Sequence, residues 1–165
     1  MKLRLKQLAF DRILFEVSED FDAGKYNRGR DASPMGHDFE DAQVGIKFQV
    51  LKFEKENFPQ LEEEHFPYDI QLTVTGKPKE GSEFPYTFEI SASAMFILQD
   101  DNVETSTEEQ RLEHCRQRGV GQLISPIREM LASLSSQSYF GDVRLPMVNV
   151  TKMLAQATKV EETQE

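Results

Sequence analysis

Two stretches of this chain, 68–75 and 84–98, alternate apolar and polar side chains with a period of two, and nothing else in the sequence restricts the fold as strongly. Tyr68, Ile70, Leu72 and Val74 are separated by Asp69, Gln71, Thr73 and Thr75. Phe84, Tyr86, Phe88, Ile90, Ala92, Ala94, Phe96 and Leu98 share one side of the second stretch, with Thr87, Glu89, Ser91 and Ser93 on the other. Such a period buries one face of a strand and wets the other, the pattern of an antiparallel sheet. The segment 76–82 between them is dense in turn formers (Gly76, Pro78, Gly81, Ser82), which predicts a hairpin. A third strand is expected over 43–53, with Val44, Ile46, Phe48 and Val50 on one side. A fourth covers roughly 3–17, where Leu3 and Leu5, then Ile13, Phe15 and Val17, carry the pattern. The interruption between these two groups predicts a bend or bulge near Leu8–Phe10. Residues 18–42, rich in Asp, Gly, Arg and Ser, read as an exposed crossover.

After residue 100 the period changes to that of a helix. Ser106, with Glu109 three residues later, has the form of a capping box, so a helix is expected to start there and to stop near Arg118 and Gly119. A second helix is expected from about 122 to 137, with Leu123, Ile127, Met130, Leu131 and Leu134 in one stripe. Pro126 belongs in its first turn or kinks it. A loop over 141–147 and a last short helix, capped by Asn149 and carrying Val150, Met153 and Leu154, complete the reading. Strands followed by helices define an α+β fold: a four-stranded antiparallel sheet with helices packed on one face. One domain over 1–160 and an acidic, disordered tail over 161–165 are expected.

With 29 acidic against 19 basic residues, the formal charge is -10, which argues against nucleic acid and anionic membrane surfaces as partners. No apolar run approaches the roughly 20 residues needed to span a bilayer, so no membrane insertion is expected. The start of the chain alternates basic and apolar residues instead of presenting a signal peptide, and the single Cys115 agrees with a reducing compartment; a cytoplasmic protein is expected.

No catalytic or metal-ligating pattern emerges. His37, His65 and His114 lack zinc-site spacing, and Cys115 beside His114 reads as a half-buried thiol next to an exposed imidazole. Glu62, Glu63 and Glu64, like Asp38, Glu40 and Asp41, read as solvated acidic loops without the pattern of a calcium loop. Phosphate loops, dinucleotide fingerprints and hydrolase elbows are all missing. The expectation is a binding protein with no cofactor, not an enzyme. The unusual feature is an apolar surplus: twelve Phe and six Met in an otherwise polar chain. Phe66, Met95, Phe96, Ile97, Tyr139, Phe140, Leu145 and Met147 fall at element ends and loops, and as a set they describe a surface that adapts to many sequences.

Residues 127–150 resemble the carboxy-terminal signature of the SecB family of export chaperones. Arg128 and Glu129 on the helix, Phe140 in the loop, then Leu145, Val148 and Asn149 fall in step with it, although Pro126 and Pro146 each stand one residue out of place. The resemblance implies an ATP-independent chaperone that holds unfolded client polypeptides in apolar grooves, assembled as a homotetramer, a dimer of dimers. Leu134, Tyr139, Phe140, Leu145 and Met147 are then the expected client groove. An acidic sheet face with Glu16, Asp69 and Glu89 would dock a partner such as the SecA motor, and in a toxin–antitoxin–chaperone system the client would be an antitoxin. Arg12 departs from the acidic character of that face. The alternative is a structural or regulatory oligomer that uses the same fold without holding clients.

Overall fold

The computed structural model describes residues 1–26 and 39–145. Four strands form one antiparallel sheet: β1 (Lys2–Val17), β2 (Ala42–Lys52), β3 (His65–Pro78) and β4 (Tyr86–Gln99), in the order β1-β4-β3-β2. β3 and β4 make the expected hairpin and sit in the centre, which explains why their alternation is the clearest. Tyr68, Ile70, Leu72 and Val74 of β3, with every even residue of β4, are at most 2% exposed.

β1 has two irregularities, between Leu5 and Gln7 and between Phe10 and Arg12, flanking the position expected for one. Lys6 and Asp11 are left without register partners, and each extra residue resets the alternation. Leu3 and Leu5, then Leu8 and Phe10, then Ile13, Phe15 and Val17 thereby all align with core-facing residues of β4. The pattern that looks broken in sequence is continuous in the sheet.

One helix, α1 (Glu108–Ser136), runs uninterrupted for 29 residues where two were expected. Gly119 is therefore not a stop. A Cβ built there would lie 2.0 Å from Ile70 Cδ1, so glycine lets the helix approach β3. Pro126 lies inside the helix instead of in a first turn. The cap is Thr107, one residue beyond the expected Ser106; its hydroxyl accepts from Gln110 N–H while the Gln110 side chain accepts from Thr107 N–H. Cys115, Val120, Leu123, Ile124, Ile127 and Leu131 form the buried stripe, each of the larger ones stabilising the fold by roughly 1.5–3 kcal/mol on leaving water. The expected last helix after Asn149 and the tail over 161–165 lie outside the described residues.

Asp100 joins the end of β4 to the start of α1. Its carboxylate is fully buried and accepts from Arg111 Nε at 2.8 Å, Asn102 N–H at 3.1 Å and Ser106 Oγ at 3.2 Å. Arg111 also donates to the Val103 and Ser106 carbonyls, both at 3.1 Å, and stacks 4.2 Å over the Phe66 ring. Ser106, expected as the cap, is used here instead.

Candidate functional site

Past α1 the chain reverses and returns along the helix. Gln137 closes the last turn, and Gly141 adopts φ 97°, a left-handed conformation that a side chain would strain. Val143 N–H donates to Ser135 Oγ at 2.8 Å and Arg128 Nε to the Leu145 carbonyl at 3.0 Å, fastening the returning segment to the helix. Tyr86, from the sheet, donates its hydroxyl to the Gly141 carbonyl at 2.7 Å. These bonds decide which apolar residues turn inward. Val143 and Leu145 are 0% and 2% exposed and belong to the protein's own core.

At the turn itself four rings gather. Phe140 lies 5.0 Å from Phe21 and 5.3 Å from Tyr26, centroid to centroid, and 5.5 Å from Tyr139; Tyr26 and Tyr139 are 6.2 Å apart. The Tyr26 hydroxyl donates to the Phe140 carbonyl at 3.0 Å, so the start of the crossover is tied to the turn after the helix. Tyr139 is 59% exposed, the highest value among the large apolar side chains of the described residues. Glu19, Asp20 and Asp22 neighbour Phe21 in sequence, and Asp142 follows the turn; Asp22 pairs with Lys25 at 2.8 Å and Asp142 with Arg144 at 3.6 Å. The four rings thus form a half-open aromatic surface beside carboxylates.

The expected groove is thus only partly one place. Tyr139 and Phe140 stand together, Leu134 is half-buried against the core, Leu145 is inside it, and Met147 lies outside the described residues. Phe21 and Tyr26 were missed by sequence reasoning. Their signal was available: two aromatic residues in a stretch otherwise acidic and poor in aliphatics.

The expected acidic face is the side of the sheet away from the helix. Glu16 aligns with Thr87, and Glu89 pairs with Arg12 at 3.3 Å. Asp69 aligns with Met95, eight residues along β4 from Thr87, hence roughly 27 Å away at the rise of an antiparallel strand. Asp69 accepts from Gln71 at 2.9 Å, and Asp11 accepts from Ser93 at 3.0 Å. With Arg12 and Lys47 also on it, the face is polar and mixed in charge, and the three carboxylates do not form one patch.

Cys115, expected to be half-buried, is fully buried, and burial pushes its thiol up to about 12; the neighbouring His114 is half-buried instead of exposed, with its pKa lowered first by burial. Side-chain ligand atoms of Glu62, Glu64 and His65 lie within 4.8 Å of one another in one turn, with Glu62 at 3.6 Å from His65 Nδ1. His37 and Asp38 lie outside the described residues. Among the described residues no helix is long and apolar enough to cross a membrane.

A four-stranded antiparallel sheet with one long helix packed across its centre is the SecB-like fold. No family model matches the sequence, and no curated protein matches it. Among solved structures, the chain is similar to a SecB-like chaperone from Mycobacterium tuberculosis, solved in complex with a ChAD peptide from the HigA1 antitoxin. The two share 14% identity at a TM-score of 0.52, over 89% of this chain and 91% of that one. A protein of unknown function from Streptococcus agalactiae also aligns, with a TM-score of 0.48 and 8% identity over 89% of this chain and 98% of that one.

Proposed function

We propose that the protein is a polypeptide-holding chaperone that works without nucleotide or cofactor and is not an enzyme. The observation that carries this reading is the four-ring cluster of Phe21, Tyr26, Tyr139 and Phe140, held on a hydrogen-bonded turn with Tyr139 59% exposed. Apolar side chains of an extended client dock on the rings, and the neighbouring carboxylates favour clients with basic flanks. The SecB-like fold supports this, as does the antitoxin peptide bound by the mycobacterial chaperone. An antitoxin is accordingly our preferred client, ahead of a general role in protein export. The mixed sheet face, with Glu89 already paired to Arg12, lends less support to docking of SecA. The apolar flank of β1, where Leu5, Ile13 and Val17 are 44%, 46% and 41% exposed, supports self-assembly toward the homotetramer. A cytoplasmic location completes the proposal.

The test is Tyr139→Ser, scored for assembly by light scattering and for suppression of aggregation of a chemically unfolded protein. Suppression is expected to fall several-fold with assembly and unfolding midpoint unchanged. Full suppression by the variant removes the ring cluster from client binding and favours an oligomer that holds no client.

A further inference from the structure

Among the described residues β1 and β2 are the edge strands of the sheet, each paired on one side only, and the two are not equivalent. β1 is interrupted twice, with the charged residues Lys6 and Asp11 inserted at the irregularities. Bulges and charges of this kind blunt an edge against pairing with another strand. β2 has no such irregularity: its eleven residues pair with β3 in unbroken register from Ala42 to Lys52, and its two charges are Lys47 on the polar face and Lys52 at the strand end, paired to Glu108 at 2.8 Å.

The direction of its backbone groups follows from two bonds at its ends. Phe53 N–H donates to the Pro67 carbonyl at 3.1 Å, and Lys79 N–H donates to the Asp41 carbonyl at 3.0 Å. Bonded pairs in an antiparallel ladder alternate with unbonded ones, so the odd residues Gln43 to Leu51 bond to β3. The even residues Val44, Ile46, Phe48 and Val50 therefore turn their N–H and C=O groups outward, along the open edge. Their side chains lie on the helix side, where Ile46, Phe48 and Val50 pack against the core. The odd side chains Gln43, Lys47 and Gln49 lie on the polar side and are exposed.

We propose that the outer edge of β2 is a strand-addition site for an extended polypeptide whose side chains alternate apolar and polar. Main-chain hydrogen bonds supply affinity without fixing sequence, and the alternation of the edge itself selects the pattern. Apolar residues of the added strand extend the row of Ile46, Phe48 and Val50, while acidic or neutral polar residues meet Lys47. Near the start of β2, a cavity of about 640 Å³ is lined by Phe21 of the ring cluster, by Gln43, which precedes the first edge-facing residue Val44, and by Phe84 and Ser82 of the hairpin loop. This inference rests on the polypeptide-binding reading and adds a second, backbone-directed contact to it.

The experiment is residue-resolved amide hydrogen exchange of the full chain. The probe is a designed eleven-residue peptide alternating valine with threonine and glutamate, compared with the same peptide N-methylated at every second residue. The first peptide is expected to slow exchange at Val44, Ile46, Phe48 and Val50 by tenfold or more, leaving Lys47 and Gln49 unchanged; the methylated peptide is expected to lose the effect. No alternating protection, or equal effects of both peptides, overturns the proposal. Even amides already protected in the free protein, in proportion to its concentration, also overturn it, because a second copy then occupies the edge. Aggregation suppression measured on the same sample separates the two claims: suppression that depends on Tyr139 without alternating protection defeats only the edge site.

Discussion

Replacing Arg111 by alanine leaves the Asp100 carboxylate fully buried with its charge partner gone. Three contributions disappear together: the 2.8 Å bond to Asp100, the two 3.1 Å bonds to the Val103 and Ser106 carbonyls, and the stacking on Phe66. Removing one member of a buried ion pair costs about 3–5 kcal/mol, a large share of the 5–15 kcal/mol that separates most folded domains from unfolded chains. The cost arises from the stranded carboxylate, so Asp100→Asn combined with Arg111→Met is expected to cost less than Arg111→Ala alone. Urea unfolding followed by circular dichroism, at one fixed protein concentration, measures both. The pH dependence gives an independent check. Burial pushes the Asp100 pKa upward, but the Arg111 hydrogen bond, the Asn102 N–H and the Ser106 hydroxyl outweigh it and hold the group below its ordinary value. A folded-state pKa below the unfolded value of about 3.9 stabilises fully above that value, and the stabilisation is lost as pH falls through the folded pKa. Without Arg111, only the Asn102 N–H and the Ser106 hydroxyl still oppose burial, so the folded-state pKa is expected to rise relative to the parent's and the gap between parent and variant to narrow as the solution is acidified. A loss under about 1 kcal/mol, or a gap that does not change with pH, would refute the argument that this carboxylate is held charged in the interior by Arg111.

Gly119→Ala is expected to destabilise by about 1–3 kcal/mol despite the better helix propensity of alanine, because its Cβ meets Ile70 Cδ1 at 2.0 Å; adding Ile70→Val should recover part of the loss in the same unfolding assay. Pro126→Ala restores a main-chain hydrogen bond within α1 and is expected to raise stability by about 1–3 kcal/mol, read as a higher urea midpoint with an unchanged slope. Cys115 should resist thiol reagents at neutral pH in the folded protein and react at the rate of unfolding, because burial removes access and pushes its pKa up to about 12; rapid labelling under native conditions would contradict the burial. His114→Ala should leave assembly and client holding unchanged.

The strands were legible because a period of two is a local property and, in β3 and β4, both the helix and two neighbouring strands reinforce it. β1 was legible only in part: Leu8 and Phe10 face the core only because Lys6 and Asp11 are looped out, and nothing local marks which residue a strand will omit. The helix reading failed at Gly119 for a related reason. Glycine is a stop signal when water is the neighbour, and a close-approach residue when Ile70 is. The SecB-like fold was suggested by the resemblance of residues 127–150, and the α+β architecture by the order of its elements.

The site was divided between the two levels. Composition established an apolar surplus and placed Tyr139 and Phe140 in a non-helical segment. Which neighbours of that segment point outward was decided by long-range hydrogen bonds, from Arg128 to the Leu145 carbonyl and from Tyr86 to the Gly141 carbonyl. They draw Leu145 into the core and leave Tyr139 at the surface, though both are apolar and six residues apart in the same loop. The same holds for charge. Glu16, Asp69 and Glu89 share a face by parity alone, but only strand pairing sets Arg12 against Glu89 and carries Asp69 to the far end of the sheet. Periodicity specifies on which face a side chain lies; its neighbours there come from chain segments distant in sequence, and these only the folded sheet and helix bring together.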